Sequence, residues 1–334
     1  MVISGSDGIT FPDSTNQFSG AYFGFKNRVI NGDFSVAQRG TSFTSGANND
    51  DTYNLDRWYV LSDGNDAVDI TQDTTTVPTN QLTAIALDVE TANKKFGIAQ
   101  IIEQKNCIGL IGKTVNLSFQ AKVSSTTKLD NVKCAIVAWS GTADTVTSDI
   151  ISAWGAEGTN PTLIANATYE NTPANLNVTT SYATYSVSAA VDTASTKNII
   201  VFIWSDVTDT TAGDFLYITD VQLEVGSVAT PFERRPYGTE LALCQRYYYR
   251  TATFTSGFLS SHAAINGIIA ATVSFPVTMR ATPTGSIVTA FTLTNCTSTA
   301  ISNITNNKLD VTVNVASANA YQVATGVVDA SIEL

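Results

Sequence analysis

The chain has 334 residues, of which only 14% are charged, and a formal net charge of −11. That length points to two domains, with a third possible on length alone, and the sign of the charge excludes a phosphate-binding groove for nucleic acid. No run approaches the roughly 20 apolar residues of a membrane-spanning helix, so no membrane insertion is expected.

Residues 1–26 are rich in Gly, Ser, Thr and Phe. They read as an arm for attachment or oligomerisation, with one short strand and a Pro-Asp turn in GITFPDSTNQ. They lack the basic start and apolar run of a signal peptide, so synthesis in a cytoplasm is expected. Residues 27–60 open the main domain: Val29 and Ile30 lead into a strand, and Asn31-Gly32 marks a turn. Trp58 reads as a core anchor there, with Asp56 and Arg57 orienting the corner through a charge-assisted bond.

The clearest periodicity lies at 115–123. Val115, Leu117, Phe119, Ala121 and Val123 alternate with Asn116, Ser118, Gln120 and Lys122, which predicts a half-buried strand. Segments 82–89, 98–103 and 185–191 read as further strands. The apolar runs 134–139 and 199–204 read as central strands buried on both faces. In 215–225, Phe215, Tyr217, Val221, Leu223 and Val225 share one parity, while Asp220, Gln222 and Glu224 take the other; this predicts a last strand with the first set inward. Gly226, Pro231, Pro236 and Gly238 then stop it.

Thr239 is placed to cap a short helix bearing Leu241, Cys244 and Tyr248. Strands return at 265–275, 286–293, 308–315 and 321–332. The expected class is therefore all-β: an N-terminal arm at 1–26, a large β-sandwich at 27–237, a short helix, and a smaller C-terminal β-sandwich within 238–334. No helical alternation supports a parallel α/β sheet. The four cysteines form no C-x-x-C pair, and His262 is the only histidine, so buried thiols are expected rather than a zinc site.

Several stretches carry a resemblance. GITFPDSTNQ resembles a segment near the start of many bacteriophage tail-fibre proteins, with Ser14 where Gly is usual. NRVINGDFSVAQRG (27–40), LDRW (55–58), AQIIEQ (99–104), GKTVNLSFQAK (112–122) and ITDVQLEVGSVATPFERRPYG (218–238) resemble the jelly-roll domains of such fibres. CQRYY (244–248) and FPVTMRATPT (275–284) resemble the domain that often follows. The resemblance implies a tail-fibre subunit located in the virion, made in a bacterial cytoplasm and usually homotrimeric. Its arm would meet tail or adaptor proteins, and residues 238–334 would form a host-facing, receptor-binding tip.

The large domain also resembles jelly-roll carbohydrate-binding modules. Many of those hold a structural calcium between their first and last strands. The corresponding residues are Asp33 in NGDF and Asp220 in TDVQL, as the two candidate metal ligands. Ser35 and Thr219 replace two of the family's carboxylates, and a hard cation wants 6–8 oxygens. An exposed Asp on a wet strand face is the alternative.

No nucleophile elbow, phosphate loop or H-E-x-x-H helix appears, so no enzyme is expected. The carboxylates at Asp50-Asp51, Asp63/Asp66/Asp69 and Asp206/Asp209/Asp214 fall in polar, loop-like runs. Sugar recognition uses aromatic faces with polar neighbours. Trp154, which looks loop-borne, Tyr182 and Trp139 are the candidate contacts, although Trp139 ends an apolar strand and also suits the core. Three roles remain: a tail-fibre adhesin, a carbohydrate-binding appendage for reversible attachment to host-surface glycan, and a polysaccharide depolymerase.

Overall fold

The computed structural model describes all residues except 1, 5–7, 11–15, 18–24, 194, 255–258, 263–266 and 317–319. At residues 2–4, 8–10, 16–17, 259–262 and 320–321 it describes the backbone alone. Most of the expected arm, and the side chain of His262, thus lie outside the described residues. The chain divides into two compact units, one of Met1–Asp33, Ser42–Thr52 and Tyr59–Arg234, the other of Phe34–Thr41, Tyr53–Trp58 and Arg235–Leu334.

In the first unit, β1 (Val2–Ser4), β2 (Gly8–Thr10) and β3 (Asn16–Gln17) form a small antiparallel sheet. Then come β4 (Ser42–Phe43), β5 (Tyr59–Ser62), β6 (Val68–Asp73), β7 (Ala84–Val89) and β8 (Phe96–Ile102). The short helix α1 (Gln104–Cys107) leads to β9 (Thr114–Val123) and β10 (Val132–Trp139). After these follow β11 (Ile151–Ala153), β12 (Thr162–Leu163), β13 (Ala167–Tyr169), β14 (Ala183–Ala190), β15 (Asn198–Ser205) and β16 (Phe215–Val225). A six-stranded sheet has the order β14-β9-β16-β7-β6-β4, and a five-stranded sheet β13-β10-β15-β8-β5. The pairings are antiparallel throughout, giving the expected sandwich.

The alternation at 115–123 holds in its second half, where Phe119, Ala121 and Val123 are buried and Gln120 and Lys122 half-exposed; in the first half Asn116 and Ser118, expected outward, are buried along with Val115 and Leu117. Every residue of β10 and β15 is buried, because both faces of the five-stranded sheet are covered. Its outer face carries Phe202 stacked on Trp204, with centroids 4.4 Å apart and an 8° interplanar angle. Gly97 lies opposite Trp204, where a Cβ would collide with the Trp204 backbone.

The excursion between β10 and β13 lies over this outer face and is held there by charge. Asp206 accepts from Lys95 Nζ at 2.5 Å, Lys133 Nζ at 2.6 Å and the Gly158 amide at 3.1 Å. Lys95 also reaches the Ala156 carbonyl at 2.8 Å, and Lys133 reaches Asn160 at 3.0 Å. The Asp206 and Lys95 side chains are fully buried.

The last strand departs from its expected parity. Thr219 faces Gln120 and Gln222 faces Ser118, so β16 advances three residues while β9 advances two. This is a β-bulge, which inserts one residue and turns the side chains beyond it to the other face. Asp220 occupies it at φ 55°, a left-handed conformation that Asp adopts more readily than most residues. Val221 and Leu223 are buried, as expected. Before the bulge, however, Leu216 and Ile218 are the buried residues, and Phe215 and Tyr217 are half-exposed.

The second unit contains α2 (Tyr237–Gln245) and β17 (Tyr248–Arg250), β18 (Leu259–His262), β19 (Ile268–Ser274), β20 (Thr284–Thr289) and β21 (Thr292–Thr294). It continues with β22 (Cys296–Ser302), β23 (Lys308–Val315), β24 (Ala320–Ala324) and β25 (Val327–Ser331). Three three-stranded sheets, β17-β25-β20, β18-β24-β21 and β19-β23-β22, surround a core that includes Val273, Met279, Leu309, Val311, Val323 and Val328. The helix starts at Tyr237 after Pro236, so Thr239 is not its cap. Glu240 is buried on the helix beside Cys244 because Arg235 grips both of its oxygens at 3.1 Å.

The main break between the units falls at 234/235, where 237/238 was expected. The unforeseen feature is that 34–41 and 53–58 belong to the second unit, so Asp56, Arg57 and Trp58 do not build a corner of the first. Buried Arg57 stacks 3.7 Å from the Tyr247 ring centroid and pairs with Glu333. Asp56 accepts from the Gln38 amide at 2.6 Å, and Trp58 packs 5.1 Å from Phe34. Cys107, Cys134 and Cys244 are buried free thiols; burial pushes Cys107 up to about 12.

Removing one partner of a buried ion network leaves a charge uncompensated, at about 3–5 kcal/mol. Asp206→Ala, which strands two buried lysines, is expected to lower unfolding free energy by about that amount. Denaturant titration checks this, and a change under about 1 kcal/mol would mean the network is not holding the excursion.

Candidate functional site

With the outer face of the five-stranded sheet covered, the outer face of the six-stranded sheet is where the first unit presents side chains to solvent. Cross-strand register defines its rows. Tyr217 lies between Lys122 on β9 and Ala86 on β7, and Phe215 lies beside Asp88. Thr219 lies beside Gln120, which faces Thr184 on β14.

The two halves of this face differ. Beyond the bulge, Gln222 and Glu224 point outward but are buried beneath residues 226–233. Gln222 receives the Glu233 amide at 2.8 Å, and Glu224 receives the Thr230 amide at 2.9 Å. Lys26 extends the cover, with its ammonium bonded to Thr230 Oγ1, to the Pro231 carbonyl at 2.6 Å, and 3.8 Å from Glu224.

Before the bulge the face is open. Phe215 and Tyr217 stack with centroids 5.4 Å apart and planes 11° apart. The Lys122 ammonium lies 5.4 Å from the Tyr217 ring and 5.9 Å from the Tyr182 ring, near the outer limit of a cation–π contact. Tyr182 donates its hydroxyl to the Thr76 carbonyl at 2.7 Å. Asp73 fixes the start of the β6–β7 loop by accepting from the Thr75 amide at 2.7 Å and the Thr76 amide at 3.1 Å. Burial, then the nearby Asp73, raises the Tyr182 hydroxyl above its ordinary range. Burial also raises Tyr217, helped by Asp73 and Asp88 and opposed by a bond to Thr76. Both phenols stay protonated, the Tyr182 proton being held by the Thr76 carbonyl.

A cavity of about 200 Å³ sits where the open half meets the covered half, lined by Ser118, Gln120, Thr184, Asp220, Pro231 and Phe232 among others. Asp220 is only 6% exposed. Its Oδ2 accepts from the side-chain amide of Gln81 and from that of Gln120 at 2.8 Å, while its Oδ1 has no hydrogen-bond partner among the described residues. Burial raises the Asp220 carboxyl, with Asp33 adding to the rise and Gln120 and Arg234 opposing it. Gly32 approaches so closely that a Cβ there would run into the Val221 carbonyl, and the Val221 amide donates to the Gly32 carbonyl at 2.8 Å.

These contacts locate the sequence candidates. Tyr182 is on the open face. Trp154 is not: its ring lies 6.1 Å from Phe202, on the far sheet. Trp139 is 8% exposed, as core packing would have it, and its indole N–H donates to the Thr142 carbonyl at 2.9 Å. Tyr217 and Lys122 were not expected as contacts, because parity placed Tyr217 inside.

Of the two expected calcium ligands, Asp220 already has other partners. Amide N–H donors meet Asp220 Oδ2, where a cation would need oxygens. The nearby oxygens of Thr230, Pro231 and Glu224 already surround the Lys26 ammonium. As arranged, these residues do not fit a calcium shell. Among the acidic clusters, Asp206 is paired by lysines, while Asp66, Asp69 and Glu90 bring carboxylates within 4.8 Å of one another. Burial, with Asp50 and Asp149 nearby, pushes Asp51 up to about 7.

No family profile and no curated protein matches the chain. Solved structures give distant similarities. The enzymatically active domain of tailspike protein 4 of bacteriophage CBA120 is 17% identical at a TM-score of 0.34, over 60% of this chain and 22% of that one. A family 4 carbohydrate-binding module is 13% identical at 0.31, over 59% of this chain and 98% of the module. The C-terminal family 22 carbohydrate-binding module of Clostridium thermocellum Xyn10B is 9% identical at 0.32, over 54% and 94%.

With Lys26 and the two glutamine amides in place, a chelator is expected to leave the melting temperature unchanged. A thermal scan with and without EDTA checks this; a fall of several degrees would show that a cation displaces these donors.

Proposed function

We propose that the chain is a non-enzymatic subunit of a bacteriophage tail fibre whose first unit binds saccharide on the open half of its six-stranded sheet. The observation that carries the saccharide reading is the pair Tyr217 and Tyr182 on an uncovered face, with Lys122 between them. Pyranose rings offer C–H faces to aromatic rings and hydroxyls to polar neighbours. The two phenols, Lys122 and Asp88 supply such neighbours. The tail-fibre part rests on the motifs at 27–40, 55–58 and 218–238 and on the resemblance they carry. In that reading the protein is a virion component and a trimer, the arm joins the tail, and the second unit faces the host.

Saccharide binding is tested on an array of bacterial surface polysaccharides. Tyr217→Ala is expected to weaken binding about tenfold or more, corresponding to about 1.4 kcal/mol, with circular dichroism unchanged. Retained affinity in Tyr217→Ala and Tyr182→Ala, with loss in Trp154→Ala, would move the site to the other sheet.

A further inference from the structure

The cavity at the bulge is chemically unlike the aromatic face beside it. Asp220 lines it yet is more than nine-tenths buried, and one of its carboxylate oxygens has no hydrogen-bond partner among the described residues. An ionised oxygen removed from water and left without a donor is costly. Two amide groups already serve Oδ2, so the deficit is confined to Oδ1. The last torsion of an Asp side chain is soft and nearly two-fold, so a small rotation can turn either oxygen toward a guest.

The surroundings select the guest. Asp33 is close enough to act on Asp220 as a second negative charge, opposed by Arg234. The Ser118, Gln120 and Thr184 side chains add hydrogen-bonding oxygens to the wall, and Phe232 closes it with an apolar ring. Farther along the same face, Asp88 and Asp73 lie beside the aromatic pair. An acidic sugar seated in the cavity would bring its carboxylate against Asp220 and Asp33, while the Lys26 ammonium at the cavity's edge is already taken up by Thr230 and Pro231. A hydroxyl would satisfy Oδ1 without neutralising it, whereas a protonated primary amine does both through a charge-assisted bond. At about 200 Å³ the cavity is smaller than the 300–1,000 Å³ of drug-sized sites, a size for one ring or its substituent rather than a chain.

We propose that the cavity beside Asp220 is a subsite for a protonated amine carried by a sugar, so that the first unit selects glycans containing an unacetylated amino sugar. This rests on the saccharide reading and narrows its ligand class. Asp220 supplies the counter-charge, and Tyr217 and Tyr182 hold the neighbouring ring.

The test uses D-glucosamine, N-acetyl-D-glucosamine, D-glucose and D-glucuronate as probes of the full chain at neutral pH, followed by amide chemical shifts. Glucosamine is expected to bind at least tenfold more tightly than the other three, with shifts at Gln120, Thr184 and Asp220. Asp220→Asn should abolish that preference. Thr184→Trp, on an exposed strand position, should fill the cavity and block the same shifts without disturbing the fold. Equal affinity for glucosamine and glucose, tighter binding of glucuronate, or no shift at these residues with any probe would overturn the proposal. If the preference is absent while Tyr217→Ala still abolishes polysaccharide binding, the subsite alone falls. If no polysaccharide binds at all, the underlying reading falls with it.

Discussion

One extra residue in β16 decides what the first unit shows to solvent. A strand with an unbroken period of two would send Tyr217 and Val221 to the same side. The bulge between Thr219 and Gln222 lets Leu216 and Ile218 enter the core before it, and Val221 and Leu223 after it. Phe215 and Tyr217 are thereby turned outward, onto the rows of Lys122 and Asp88. The same bulge puts Asp220 into a left-handed conformation at the edge of a cavity. Gly32 keeps the bulge in place, because its missing side chain lets the entering backbone lie against Val221. The aromatic platform and the buried carboxylate therefore share one local cause.

The two sheet faces are finished by different means. The five-stranded sheet is capped by a long excursion pinned through Asp206, Lys95 and Lys133. The six-stranded sheet is capped over half its length by residues 226–233, through side-chain bonds from Gln222 and Glu224. What remains uncovered carries aromatic rings, one ammonium and several carboxylates.

Much of the fold was legible because burial writes itself into periodicity. The apolar positions of β9 are legible in the alternation, though Asn116 and Ser118 of its polar set are buried, and the unbroken apolar runs of β10 and β15 announce coverage on both faces. Parity failed at β16 because a bulge changes the phase without changing composition; the only traces were polar Thr219 within the apolar set and an Asp suited to positive φ. Tyr217 is hidden by the same phase change, since unbroken parity assigns it to the core. Trp154 lies outside any strand, as its sequence context suggests, and is half-exposed, but its ring packs 6.1 Å from Phe202 on the other sheet. The LDRW stretch was read as a corner of the first unit, because nothing local reveals that Arg57 is paired with Tyr247 and Glu333, far along the chain.

The central claim is that the open half of the six-stranded sheet, exposed by the bulge, is the binding face. Its most direct measurement is a residue-resolved map of amide and side-chain shifts as a bound polysaccharide fragment is titrated into the full chain. The account predicts perturbations centred on Lys122, Tyr182, Phe215 and Tyr217, with Trp139 and Trp154 unmoved. Perturbations centred on Trp154 and the excursion it belongs to, with Tyr217 silent, would contradict it.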